Sequence, residues 1–212
     1  MSVEDEKRLA GEAAAGLVED GMTVGLGTAT TVAHFLRDLA ARELRLRCVA
    51  TSLQTEMLAR ELGLEVQPFD ELERLDLAVD GADQVAPSGW LVKGAGAAHT
   101  REKVVAAAAD RFVVVVSSDK LVEALGPPIP VEILAYGAAA TLARIGAADL
   151  RAVPPSPDGG LIADYLGPVG EPGELAARLA ATPGVVEHGL FPPEFVAEVL
   201  VARDTEVIRR TR

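Results

Sequence analysis

One cysteine in 212 residues, Cys48, leaves no partner within the chain for a disulfide, which fits a reducing compartment. It lies in the apolar run Leu46 to Val49 and reads as a buried small hydrophobe rather than a nucleophile. Histidine is scarce as well. His34, His99 and His188 fall in three separate segments without metal-ligand spacing, so no His/Cys metal site is expected. Aromatic residues make up only 4% of the chain against 49% hydrophobic, so Ala, Val, Leu and Ile must build the core, as in layered α/β proteins. No apolar stretch reaches the roughly 18 residues that span a bilayer. The opening MSVEDEKRLAGE is charged and lacks the apolar segment of a secretory signal. Positive charge is outnumbered, 20 Lys and Arg against 32 Asp and Glu, for a net −12. Such a field repels nucleic-acid backbones and anionic membranes. The expectation is a soluble cytoplasmic protein with neither nucleic acid nor membrane as partner, in which any phosphate site must rely on local lysines and backbone N–H groups.

Apolar strands without alternation are interleaved with amphipathic helices, the mark of a parallel sheet covered on both faces. Helices are expected over Glu4 to Asp20 (stopped by Gly21), Thr30 to Arg42, Ser52 to Leu62 with Ser52 as N-cap, and Ala97 to Asp110. Strands are expected over Met22 to Leu26, Leu44 to Ala50, Leu75 to Val79 and Phe112 to Val116. Beyond Gly126 the texture changes: a Pro-rich linker, helices over Gly137 to Gly146 and Glu174 to Ala181, and a hairpin through Pro157-Asp158-Gly159-Gly160. Two last strands, Phe195 to Ala202 and Glu206 to Ile208, can return to the first domain. The predicted fold class is therefore α/β, an open, mostly parallel Rossmann-like sheet over 1–127 and 191–212, with a small α+β lobe at 128–190.

Open parallel sheets bind ligands at the carboxyl ends of their strands, and three polar clusters fall there. Gly25-Leu26-Gly27-Thr28-Ala29-Thr30-Thr31 follows a strand and opens a helix, offering N–H groups and a dipole to an anion. Its spacing fits neither a P-loop nor a dinucleotide fingerprint, and a tight turn with capping threonines explains it equally well. Asp80-Gly81-Ala82-Asp83 can turn two carboxylates toward one ligand, yet it also reads as an Asx-type turn, and spacing alone leaves Mg²⁺ binding open. In Lys93-Gly94-Ala95-Gly96-Ala97-Ala98-His99-Thr100-Arg101-Glu102-Lys103, a lysine precedes a flexible turn and Glu102 lies about one turn into the following helix. Ordinary solvated helix residues are the plain alternative for the Arg-Glu-Lys triplet. His99 reads as a neighbour of the site rather than a base.

The strings GLGTATT, VDGADQV, LVKGAGAAHTREK, SSDKLVEALGPPIPVEI and PGVVEHGLF together resemble ribose-5-phosphate isomerase, type A, in that family's order and spacing. With the regions between them they cover essentially the whole chain. The resemblance implies a homodimer or homotetramer and metal-free, cofactor-free interconversion of ribose 5-phosphate and ribulose 5-phosphate, a step of the non-oxidative pentose phosphate pathway. By position it places the proton acceptor on Glu102. Substrate contacts fall on Thr28, Ala29, Thr30 and Thr31, on Asp80, Gly81, Ala82 and Asp83, on Lys93, Gly94, Ala95 and Gly96, and on Lys120 and Lys7. Four positions depart from the family pattern: Ala29 and Ala95 replace glycines, Gln84 stands where an acid is common, and Ser117 where an Asp often precedes the lysine. Ala29 matters if its position needs positive φ.

Under this resemblance the chemistry needs few parts. Glu102 removes the C2 proton and returns it at C1 through a cis-enediol, a carboxylate gaining basicity as it is withdrawn from water. Lys93 meets the charge that develops on oxygen. Asp80 and Asp83 shuttle hydroxyl protons and assist ring opening, while Thr28 to Thr31 and Lys120 hold the phosphate. Two alternatives remain: an isomerase or hydrolase of another phosphosugar, and a non-catalytic sugar-phosphate sensor. A sensor is expected to carry a DNA-binding region, which is not expected ahead of the helix at Glu4. The joint presence of Asp80, Asp83, Lys93 and Glu102 favours an enzyme.

Overall fold

The structure, a computed structural model, describes residues 2–70 and 72–211. In chain order its elements begin α1 (Val3–Ala15), β1 (Thr23–Leu26), α2 (Thr30–Ala40), β2 (Arg47–Ala50), α3 (Leu53–Glu61) and β3 (Leu77–Asp80). There follow β4 (Gln84–Val85), β5 (Leu91–Val92), α4 (His99–Ala108), β6 (Phe112–Ser117), a 3-10 turn (Ser118–Lys120), β7 (Ile129–Ile133), α5 (Ala138–Ile145) and β8 (Ala148–Leu150). The chain closes with β9 (Leu161–Tyr165), α6 (Pro172–Ala180), β10 (Val185–His188), β11 (Leu190–Phe191), β12 (Val196–Arg203) and β13 (Glu206–Thr211).

Two compact units result. The first comprises Met1–Ala82, Arg101–Lys120 and Glu194–Arg212; the second, Asp83–Thr100 and Leu121–Pro193. Sequence texture had suggested 128–190 alone for the smaller one. The added segments belong to a three-stranded sheet, β11-β5-β4, whose two-residue strands are too short to show any periodicity.

The first unit holds the expected α/β sheet, ordered β13-β12-β6-β3-β1-β2 and parallel except for the β12–β13 pair. Alternation along β1 explains how both faces are covered. Val24 and Leu26 pack with Phe35, Leu36 and Leu39 of α2 and Ala10 and Ala14 of α1. Gly25 points the other way, where a Cβ would lie 2.5 Å from Val105 of α4. Because β1 has β2 on one side and β3 on the other, the connections leave in opposite directions, the arrangement in which open α/β sheets take their ligands at the carboxyl ends of the strands. Cys48 is fully buried in this core, and burial, with Glu65 nearby, pushes its thiol up to about 12. Its environment is that of a buried small hydrophobe, as expected, and disfavours the thiolate.

Helix α1 stops at Ala15 rather than at Asp20. Past Gly16 the chain tightens into i→i+3 turns that drive Val18 fully inside, and the Arg42 guanidinium donates to the carbonyls of Ala15 and Val18. A side chain just beyond the far end of α2 thus satisfies carbonyls that a longer helix would have paired itself. At the other end of α1, the buried Glu6 accepts from the N–H and hydroxyl of Ser118 and from the N–H of Asp204. Burial raises its pKa, but these three donors outweigh it and hold the carboxyl below 4.5. A depressed folded pKa contributes stability above the unfolded value, and that stability is lost as pH falls through the folded one. Glu6→Gln is therefore expected to be about 2 kcal/mol less stable at neutral pH, the scale of a lost charge-assisted bond. Urea titrations should show the gap to wild type closing as pH drops below 4.5.

The second unit is α+β: an antiparallel sheet β10-β7-β9-β8 with α5 and α6, packed around Ile129, Val131, Ile133, Ile145, Leu175 and Leu179. Among the described residues, no helix is long and apolar enough to cross a membrane.

Candidate active site

In the first unit, the segments after β1 and β3 are built around one carboxylate. Oδ1 of the buried Asp80 accepts from the N–H of Thr28 at 3.0 Å and of Gly81 at 2.7 Å. Gly27 is required beside it, since a Cβ there would lie 2.0 Å from the Asp80 carboxyl carbon. Gly81 is required too, its missing Cβ leaving room for the Ala29 methyl at 2.6 Å. Asp80 thus shapes the loop that opens α2. The Thr28 hydroxyl pairs with Thr51 at 2.7 Å, while Thr55 donates to the Gly27 carbonyl at 2.8 Å. With its N–H and hydroxyl both engaged, Thr28 supports the loop, whereas Thr30 is exposed and Thr31 buried at the start of α2. That helix begins at Ala29 with no side-chain cap, so the N–H groups of its first turn have no acceptor within the helix.

Glu102 stands in the first turn of α4 at 2% exposure, and Lys103 at 8%. The solvated-helix alternative for this triplet is thereby removed. Lys7, on α1, pairs with Glu4 at 3.3 Å, and Lys120 with Asp119 at 3.5 Å. Glu6 joins the elements that carry these two lysines.

In the second unit, Lys93 is 3% exposed, with its ammonium 5.5 Å from the centre of the Phe191 ring. Its N–H donates to Gly189 at 2.8 Å, and a Cβ on Gly189 would fall 2.1 Å from the Lys93 carbonyl oxygen. Gly94 has φ +112°, with His99 and Pro130 close against its α-carbon. The turn closes through Ala97 N–H to the Gly94 carbonyl, and Asp83 accepts from Ala95 N–H at 2.9 Å. His99 is fully buried. Among the described residues, no group of three or more His, Cys, Asp or Glu is arranged to hold a metal ion.

The family model for ribose 5-phosphate isomerase A (phosphoriboisomerase A) matches residues 47–206. The chain belongs to that family. A relative from Caulobacter sp. (strain K31), named ribose-5-phosphate isomerase A, is 43% identical over 224 residues, covering 99% of both chains. The structure of ribose 5-phosphate isomerase A from Methanocaldococcus jannaschii superposes with a TM-score of 0.94 at 35% identity, covering all of both chains. A D-ribose-5-phosphate isomerase solved with phospho-erythronic acid does so at 0.94 and 33% identity, again over the full length of each.

The departures from the ribose-5-phosphate isomerase A pattern have local explanations. Ala29 lies at φ −157°, ψ 160°, an extended conformation open to any residue, so the position does not need positive φ and the alanine is unstrained. Ala95 also stands outside the positive-φ residues, and the turn's left-handed alanine is Ala97 at φ +59°. Gln84 exchanges two 2.8 Å bonds with the backbone of Gly126, a pairing that a carboxylate could not complete because it has no N–H to donate. Ser117 donates to Asp119, whose carboxylate stands beside Lys120. Sequence reasoning missed Thr51, Thr55 and Phe191. Thr51 directly follows β2, a polar residue closing an apolar strand, the same signal that singled out Asp80.

Proposed function

We propose that this chain interconverts ribose 5-phosphate and ribulose 5-phosphate by proton transfer through an enediol. The observation that carries the reading is the burial of the Glu102 carboxylate in the first turn of α4. Family membership supplies the substrate class. Glu102 takes the proton from C2 of the open aldose; the C–H electron pair forms the C1–C2 double bond, and negative charge passes to O1. Lys93 meets that charge. Glu102 then returns its proton to C1, while the O2 proton leaves and O1 gains one, giving the ketose. Asp80 and Asp83 carry these hydroxyl protons and assist ring opening. The uncapped start of α2 receives the phosphate through Thr30 and Thr31, with Lys7 and Lys120 exchanging their carboxylate partners for it. Binding at this remote group supplies positioning energy to the reacting end.

We further assign a homodimer or homotetramer acting in the cytoplasm. Exposed Leu134, Tyr136, Leu150 and Val186 on the second unit support self-association, and the single buried Cys48 suits a reducing compartment. The test of function is turnover of a panel of phosphosugars by EDTA-treated protein. Ribose 5-phosphate should be the preferred aldose, with no loss of rate in chelator. A rate lost to EDTA and restored by Mg²⁺ or Mn²⁺ would reassign Asp80 and Asp83 as metal ligands. Thr31→Val, which keeps shape and removes a hydroxyl, should raise KM by about tenfold or more, matching a charge-assisted bond of roughly 1.5–3 kcal/mol. An unchanged KM would take the phosphate away from α2.

A further inference from the structure

We propose that Arg151, which follows β8 in the second unit, is a positioning residue that holds the Gly94–Ala97 turn in its substrate-ready conformation. Its Nη1 donates to the carbonyls of Gly94 at 2.9 Å and Ala95 at 3.0 Å. The rest of the guanidinium is gripped by Asp164 of β9, through Nε at 3.0 Å and Nη2 at 2.5 Å. Both side chains are about four-fifths withdrawn from solvent, at 18% and 21% exposure. The backbone N–H of Arg151 donates to Ile162, extending the β8–β9 ladder by one step, so the side chain springs from a fixed point.

This geometry acts on two successive peptides. The Gly94–Ala95 peptide is held at both ends, its carbonyl by Arg151 and its N–H by Asp83. The Ala95–Gly96 peptide is held at its carbonyl by Arg151. A trans peptide sets C=O and N–H on opposite sides, so the Gly96 N–H is aimed away from Arg151. A cation on the carbonyl also polarises that peptide and makes its N–H a better donor. Glycine-containing turns are otherwise free to rotate these planes. Arg suits the task where Lys does not, because one planar fork can serve two carbonyls and a bidentate carboxylate together. Asp164 balances the charge, so the clamp adds no uncompensated cation beside the turn.

The inference rests on the reading that residues 93–96 meet the sugar. The test is steady-state kinetics on ribose 5-phosphate for Arg151→Ala, Arg151→Lys and Lys93→Met, with thermal unfolding of each. Both Arg151 variants are expected to lose about ten- to a hundredfold in kcat/KM, the scale of a misplaced site. Millimolar guanidinium should restore much of the rate of Arg151→Ala, while methylammonium should not. Wild-type-like kcat/KM in the Arg151 variants, or a loss that guanidinium leaves untouched, overturns the proposal. If Arg151→Ala fails to fold, Arg151→Lys decides on the same criterion of kcat/KM. A Lys93→Met enzyme with normal activity would instead overturn the reading of residues 93–96 itself.

Discussion

Glu102→Gln is expected to keep its affinity for ribose 5-phosphate and lose at least about 10²-fold in kcat, the usual scale for removal of a general base. The substitution is nearly isosteric and changes one oxygen to an amide nitrogen, so the packing around a residue 2% exposed in α4 is preserved. What disappears is the capacity to accept and return a proton. Because the base acts only along the reaction path, the loss should appear in kcat and in kcat/KM alike, with little change in substrate binding. Solvent-tritium exchange into substrate C2 should fall in step. A variant retaining more than a tenth of wild-type kcat would move the base elsewhere, with Asp80 the next carboxylate to replace.

For Lys93→Met the expected loss is about 10²–10³-fold in kcat, the range seen when one donor to a developing oxyanion is removed. Met keeps an unbranched apolar stem that can pack against Phe191, so the variant tests the ammonium rather than the contact. The position argues for a role of the charge. An ammonium held 3% exposed carries a desolvation cost that a surface lysine avoids. A cation that meets an enediolate stabilises a species absent from the ground state, so kcat should suffer more than KM. A pure rise in KM would make Lys93 a phosphate ligand and leave the oxyanion to other donors.

Much of this was readable from residue order because the responsible forces act within a few residues or along a whole strand. Ser52 caps α3 through the N–H of Thr55 as expected from the adjacent sequence. The unbroken apolar run Phe112 to Val116 is buried at every position because helices cover both faces of its sheet. Asp80 is visible as a charge closing an apolar strand, whereas spacing left Glu102 indistinguishable from an ordinary helix residue and only the family resemblance singled it out.

Tertiary structure alone decided the rest. The early end of α1 depends on Arg42, which reaches carbonyls 24 and 27 residues away. Glu6 follows two other acids in the first turn of α1, and nothing local sets it apart, yet its donors lie 112 and 198 residues along the chain. Arg151 reaches back 57 residues to Gly94. Ala29 shows the same limit in reverse. A glycine-to-alanine change near a phosphate loop suggests strain, and only the backbone angle, set by Asp80 holding the N–H of Thr28, shows that none is present. Periodicity and caps report what a residue does to its near neighbours. Which distant donor meets a buried carboxylate, or which carbonyl meets a guanidinium, is settled when the sheet order brings remote segments together and every buried polar group must find a partner.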